Sequence, residues 1–372
     1  MAAMAGMPSD TIHMARALAL AERGRGLTSP NPMVGAVVVD DEGVVVGRGS
    51  HRAAGEPHAE ILAFADAGSK TQGATLYCTL EPCFHVGRTG PCAPEVVRAG
   101  IRRAVVAIED PNPLVAGRGL AYLRQHDVAV SVGVLREAAE RLNGPFLTVM
   151  RRQRPFVTMK VALSRENCVA GSGGHRLDLT GPSANRYIHR ERAELDAIGV
   201  GSGTLLVDDP LLTARGAYRS RPLTRVVFDR RLRTPPGARL MSTLGDGPII
   251  VVASEPRREE ERHRAEQLRR TGARVELVGP DDADPFLHEA LSLLAGLGVC
   301  SLMLEGGPML HHAAWTAGVV DRVQMFMTQT VAGSAGVPWL DSSRIEVDDL
   351  TDVRTLRLGS DLMIEGYVHR PR

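Results

Sequence analysis

The feature that most constrains this chain is a repeated alternation of short apolar runs with helix-forming stretches, which begins afresh near residue 156. Ser9 or Asp10 is placed to cap a first helix, IHMARALALAERG, ending at Gly24, after a loose lead-in over residues 1–8. Strands follow at 34–40 and 44–49 around the turn Asp41-Glu42-Gly43, then a helix from His58, a strand at 74–80, a loop and helix over 83–99, a strand at 103–110, a helix at 118–126 and a strand at 128–134. Such alternation predicts a three-layer α/β/α sandwich. The segment AAERLNGPFLTVMRRQRP, with Gly144, Pro145, a basic cluster and Pro155, reads as a join.

The second series has strands at 156–164, 196–201, 224–229, 247–254, 273–279, 299–307, 321–329 and 361–369, with helices near 182–194, 256–271, 285–297 and 308–317. It predicts another α/β domain with a sheet of about eight strands. The expected domains are residues 1–147 and 154–372, a natural division for 372 residues.

Charge and composition narrow the function. The net charge is +1 and aromatic residues make up 4%, so a basic stripe with stacking rings for nucleic acid is not expected. The charge run at 257–264 mixes both signs, as a solvated helix face does. No run of 18 apolar residues predicts a membrane span, and MAAMAGMPSD does not read as a secretory leader. Five scattered cysteines, an odd number, fit a reducing cytoplasm better than a disulfide framework.

The sharpest chemical signal is His58-Ala59-Glu60 followed by Pro82-Cys83 and Pro91-Cys92. One imidazole and two thiolates suit Zn²⁺, and three protein ligands leave a fourth position for water, as catalytic rather than structural zinc sites do. Zinc lowers the pKa of that water. Glu60, two residues after His58 in the first turn of the same helix, is the expected proton carrier between the water, a ring nitrogen and the leaving ammonia. Zinc deaminases carry His-x-Glu and Pro-Cys-x-x-Cys. Here eight residues, FHVGRTGP, separate the two cysteines. Cys78, Cys168 and Cys300 read as core residues.

Together the segments TSPNPMVGAVVV (28–39), HRAAGEPHAEILA (51–63), TLEPCFHVGRTGPC (79–92), EDPNPLVAGRG (109–119), VGSGTLLVDDPLLTAR (200–215) and LEGGPML (304–310) resemble the bifunctional deaminase–reductases of riboflavin biosynthesis. The spacer with Gly87-Arg88-Thr89 is specific to that branch of the deaminases. The resemblance implies a cytidine-deaminase-like α/β/α sandwich followed by a dihydrofolate-reductase-like α/β domain. It implies zinc-dependent hydrolytic deamination of 2,5-diamino-6-(5-phosphoribosylamino)pyrimidin-4(3H)-one, then NADPH-dependent reduction of ribosyl to ribityl. By the same carry-over His58, Cys83 and Cys92 hold zinc and Glu60 shuttles the proton. Asn31 faces the pyrimidine, and His51 touches substrate or braces the loop. The family forms homo-oligomers.

For the second domain, Gly201-Ser202-Gly203-Thr204 and Gly306-Gly307-Pro308 each end a predicted strand, where glycine lets a backbone approach a phosphate. The resemblance assigns Ala162, Thr204, Asp208, Gly306 and Gly307 to the cofactor and Arg192, Leu212, Arg215 and Glu305 to the substrate, whose phosphate suits guanidinium. One stretch departs from the family pattern Lys-x-x-x-Ser-x-Asp-Gly-Arg, which precedes a Gly-x-Ser-x-Trp segment. Lys160 and Ser164 are kept, Glu166-Asn167 replaces Asp-Gly, Arg176 replaces a substrate-side Ser and Asp178 replaces a Trp near the nicotinamide. Asn167 tolerates a left-handed backbone, so the turn survives on paper. The departure leaves open an alternative, a diverted paralogue with a working deaminase and an altered or inactive second domain in a secondary-metabolite pathway. A nucleic-acid-editing deaminase and a structural zinc protein are the other readings; the first lacks the basic, aromatic surface and the second lacks a fourth ligand.

Overall fold

The computed structural model describes residues 8–84, 90–113, 115–279, 283–340, 345 and 347–368. The chain divides into two compact units, broken between Arg152 and Gln153. Among the described residues the first unit's sheet has five strands and the second's nine, one more than expected.

In the first unit, α1 (Pro8–Ala21) precedes the antiparallel pair β1 (Gly35–Val39) and β2 (Val45–Ser50). Then come α2 (Ala59–Ala67), β3 (Thr75–Cys78), α3 (Cys92–Arg98), β4 (Arg103–Val106), α4 (Arg118–Gln125), β5 (Ala129–Val132), α5 (Arg136–Leu142) and α6 (Gly144–Arg152). The strand order is β2-β1-β3-β4-β5, with β3, β4 and β5 parallel. Alternation sorts the side chains to two faces. Ala36, Val38, Leu76, Cys78 and Ala104 pack with Ala59 and Ala63 of α2, Val96 of α3 and Leu123 of α4. Val37, Val39, Tyr77 and Val105 pack with Met14 and Ala17 of α1 and Leu147 of α6. This is the three-layer sandwich expected. The helix α2 lies directly on β2, because a Cβ on Gly49 would fall 2.0 Å from the Ala59 carbonyl oxygen.

Two local expectations need correction. Ser9 and Asp10 lie inside α1 rather than capping it. Asp10 is buried and accepts from Tyr77 Oη at 2.8 Å and from both Arg103 Nη atoms at 2.9 and 2.8 Å, so a long-range ion pair replaced the local cap. The join does contain the break between the units, at Arg152–Gln153, but it is helical and packed rather than a bare boundary segment. It forms α5 and α6, whose Ala139, Phe146 and Leu147 are buried in the second face of the core. Gly144 and Pro145 sit in the first turn of α6, where proline's missing N–H costs nothing.

The second unit contains β6 (Phe156–Leu163), β7 (Cys168–Ala170), α7 (Pro182–Glu194), β8 (Ala197–Gly201), α8 (Ser202–Asp208), β9 (Thr224–Phe228), β10 (Ile249–Ala253), α9 (Glu259–Arg270), β11 (Arg274–Leu277), α10 (Ala283–Gly296), β12 (Ser301–Leu304), α11 (Pro308–Thr316), β13 (Arg322–Met327), β14 (Val337–Pro338), β15 (Thr351–Leu358) and β16 (Asp361–Tyr367). The order β11-β10-β9-β8-β12-β6-β13 is parallel, and β16 and β15 add an antiparallel edge. The unexpected ninth strand is β15. Six of its eight residues are exposed, so it shows none of the buried, apolar pattern by which a strand is read. Central strands buried on both faces read as nearly continuous apolar runs, as β10 does. In open sheets of this kind ligands bind beyond the carboxyl ends of the parallel strands. Gly201, Glu305 and Gly306 stand at those ends of β8 and β12. No described helix is long and apolar enough to cross a membrane.

Candidate functional site

In the first unit three elements bring the donors together. His58 is the residue before α2, Cys92 opens α3, and Cys83 lies in the loop after β3. Their ligand atoms all lie within 4.8 Å of one another, with His58 Nδ1 3.2 Å from Cys92 Sγ and 3.5 Å from Cys83 Sγ. The Cys92 backbone N–H donates to Cys83 Sγ at 3.3 Å, and Ala93 N–H donates to the Cys83 carbonyl at 3.0 Å. The start of α3 thus supplies a ligand and also clamps the other thiol. Hydrogen bonding by the Cys92 thiol outweighs burial and, with His58, lowers the Cys83 pKa to about 4. The same Cys83 pairing, with burial, raises Cys92. Glu60, in the first turn of α2, is 3% exposed, and burial followed by the Cys83 charge raises its carboxyl to about 7. Soft sulfur donors, one imidazole and a non-ligating carboxylate fit a zinc ion with an open coordination position. The Gly87-Arg88-Thr89 signature lies outside the described residues.

Beside this triad, His51 is 3% exposed and stands edge-on to His58, with ring centroids 5.4 Å apart. Its Nδ1 faces the Pro57 carbonyl at 3.2 Å and its Nε2 faces Asn31 Nδ2 at 3.2 Å. A carbonyl only accepts, so Nδ1 carries the proton and Nε2 accepts from the Asn31 amide. Burial lowers the His51 pKa, in keeping with a neutral ring. The Asn31 Oδ1 is therefore left to a partner other than His51.

Two residues given no role from the sequence hold this arrangement. Asn143, 1% exposed, donates to the Met33 carbonyl at 2.9 Å and accepts the Met33 N–H at 2.8 Å, fixing the 28–34 loop. Glu81, 3% exposed, accepts backbone N–H bonds from Asp110, Gly117, Gly119 and Leu120 at 2.9–3.2 Å. It thereby ties the 110–120 segment to the turn that carries Cys83. The signal for Glu81 was its place in Leu-Glu-Pro-Cys; Asn143 left none, because its partner is 110 residues away.

In the second unit Arg192 of α7 meets Glu305 at the end of β12 through two hydrogen bonds, Nε–Oε1 at 2.7 Å and Nη2–Oε2 at 2.6 Å. Lys160 Nζ is 4.0 Å from Glu305 Oε2 and 5.5 Å from the centre of the Phe326 ring. Burial opposes ionisation of Glu305, but Arg192 and Lys160 outweigh it and hold the carboxyl at about 2. Burial also lowers the Lys160 pKa. Lys160 was legible only as part of a motif, although a lysine within an apolar strand is itself a signal.

The glycine turns meet as well. The Gly307 N–H donates to Thr204 Oγ1 at 2.8 Å, and a Cβ on Gly307 would sit 3.2 Å from that oxygen. A Cβ on Gly306 would sit 2.8 Å from a Leu310 methyl carbon. Pro308 opens α11 immediately after this turn. Asp208 ends α8, and burial, opposed by Arg176, raises its pKa. Ala162 packs beside Phe326. The Leu212 side chain is buried among Leu205, Leu223 and Leu232, and its backbone is left-handed at φ 53°. Arg215 is exposed, and its N–H donates to His189 Nδ1 at 3.2 Å.

The departing stretch keeps its turn. Asn167 is left-handed at φ 61°, and Ser164 Oγ accepts from the N–H groups of Glu166 and Cys168, both at 3.2 Å. Arg176 and Asp178 form an exposed ion pair at 3.6 Å.

Comparison with known proteins decides the family. Residues 155–364 match the RibD C-terminal domain and residues 7–108 match the cytidine and deoxycytidylate deaminase zinc-binding region. The chain belongs to the RibD family. It is 38% identical to the riboflavin biosynthesis protein RibD of Aquifex aeolicus over 95% of this chain and 97% of that protein. With RibD of Escherichia coli it shares 38% identity over 87% of this chain and 89% of the other. The solved structure of Acinetobacter baumannii RibD superposes with a TM-score of 0.83 at 32% identity, over 96% of this chain and 98% of that one. The diaminohydroxyphosphoribosylaminopyrimidine deaminase/5-amino-6-(5-phosphoribosylamino)uracil reductase of Thermotoga maritima gives 0.80 at 30% identity, over the same 96% and 98%. RibD relatives thus match through both domains, which does not favour the diverted alternative.

Proposed function

We infer that this chain is a bifunctional enzyme of riboflavin biosynthesis, a zinc-dependent deaminase joined to an NADPH-dependent reductase. The observation that carries the reading is the His58–Cys83–Cys92 cluster with Glu60 buried beside it. Zinc held by those three side chains would supply a Lewis acid that makes water nucleophilic near neutral pH. Asn31 Oδ1, oriented by His51, accepts from an N–H on the edge of the pyrimidine. Glu60 takes a proton from the attacking water and passes protons to the ring nitrogen and to the departing ammonia. The amine of 2,5-diamino-6-(5-phosphoribosylamino)pyrimidin-4(3H)-one becomes a carbonyl, and ammonia leaves.

In the second unit NADPH would supply the hydride, with Thr204, Gly306, Gly307, Asp208 and Ala162 forming its site. Arg192 and Arg215 are suited to the substrate phosphate, with the Leu212 backbone and Glu305 beside them. Glu305 orients Arg192 through its paired hydrogen bonds. Lys160, 4.0 Å from Glu305 Oε2, would hold the proton for the imine nitrogen of the ring-opened ribosyl group. A cytoplasmic setting and a homo-oligomeric state belong to the same reading; all five cysteines are free of disulfides.

Mass analysis of the product tests it. Incubation with the diaminopyrimidine should raise the mass by about one dalton, and added NADPH by about two more. No one-dalton step from zinc-replete protein would overturn the deaminase, and no second step the reductase.

A further inference from the structure

Beneath the Leu304–Gly307 turn lies a buried polar pair that takes no part in the steps above. His311, on α11, is fully buried, and Trp339, which follows β14, is 7% exposed. Trp339 Nε1 lies 2.9 Å from His311 Nδ1, and His311 Nε2 lies 3.3 Å from the Leu304 carbonyl and 3.1 Å from the Gly306 nitrogen. The Trp339 backbone N–H donates to the Asn167 carbonyl at 3.2 Å, inside the hairpin that departs from the family pattern.

We propose that His311 and Trp339 are positioning residues for NADPH, holding the Leu304–Gly307 turn from beneath. An indole N–H can only donate, so Nδ1 of His311 must accept. Burial keeps the imidazole neutral, with its pKa lowered to about 4, so a single proton is available and it resides on Nε2. That N–H donates to the Leu304 carbonyl. The ring thereby ties α11 to the turn at Leu304. Trp339 sets the tautomer and, through Asn167, couples the turn to the 164–168 hairpin.

The inference rests on the reading that the Gly306–Gly307 turn receives NADPH, and the test separates the two. NADPH dissociation constants are measured on the zinc-loaded full chain by nucleotide fluorescence, with ammonia release from the diaminopyrimidine as a check on folding. Trp339→Phe frees the ring to move its proton to Nδ1, which removes the bond to the Leu304 carbonyl, and should weaken NADPH about tenfold. His311→Leu should do the same. His311→Gln, whose amide both accepts and donates, should restore binding to within about threefold. Constants within twofold of the parent for both Trp339→Phe and His311→Leu would overturn the proposal. So would a Gln variant as weak as Leu, which would mean packing alone. Should His311→Leu not fold, Trp339→Phe and His311→Gln decide. Gly307→Val tests the underlying reading: undiminished NADPH affinity in that variant removes the turn from the cofactor site altogether.

Discussion

The two sites solve opposite electrostatic problems. In the first unit, acidic and thiol groups crowd one imidazole: Glu60 and Cys92 are pushed up in pKa by burial and by the Cys83 charge or pairing. In the second, Arg192 and Lys160 already surround Glu305, and its carboxyl is held at about 2 despite burial. That site carries its own cations. A cluster of donors under mutual repulsion suits a metal, whereas the second group is already held together by its own opposite charges.

Breaking that contrast should produce graded effects. The largest follows metal removal: a strong chelator should abolish ammonia release and leave NADPH-dependent reduction of the deaminated pyrimidine intact, and zinc should restore the loss. Parallel loss of both activities would mean that the two units are not electrostatically independent. Next, Glu60→Gln should lower the deamination rate by about a thousandfold, roughly 4 kcal/mol of barrier, with one zinc still bound by metal analysis.

In the second unit, Glu305→Gln leaves two buried cations facing a neutral amide. It should destabilise that unit by about 3 kcal/mol in urea unfolding and depress reduction without touching deamination. The pH dependence sharpens this. The Glu305 pKa is depressed in the folded chain, so its stabilisation is fully present above the ordinary carboxylate value of 4.5 and is lost as pH falls towards about 2. Stability measured between pH 5 and 2 should fall less steeply in Glu305→Gln than in the parent. The smallest effect is at the departing loop. Asp178 is 95% exposed and paired with Arg176, so Asp178→Asn should change the KM for NADPH by no more than about threefold. A tenfold change would place that carboxylate against the cofactor.

Much of this was legible because short spacing and local chemistry carried it. His58 and Glu60 share the start of one helix, and each cysteine follows a proline at an element boundary, so the zinc cluster could be read as a pattern. The left-handed Asn167 was likewise foreseeable from its residue type. The failures share another cause. Asp10 looked like a cap because the sequence shows only its neighbours, whereas its partner Arg103 is 93 residues away. The 138–155 segment looked like a linker because glycine and proline mark boundaries locally, but Phe146 and Leu147 find a core supplied by distant strands.

By itself, then, the sequence determined the element types, the two α/β units and the identity of the zinc donors, all of which depend on periodicity and residue chemistry within a few positions. Tertiary structure alone decided which buried charges meet, as with Arg192, Glu305 and Lys160, and which tautomer each buried histidine holds. Those outcomes depend on partners brought close only when the sheet assembles, and at such short range a hydrogen bond or a lost hydration shell outweighs any local preference.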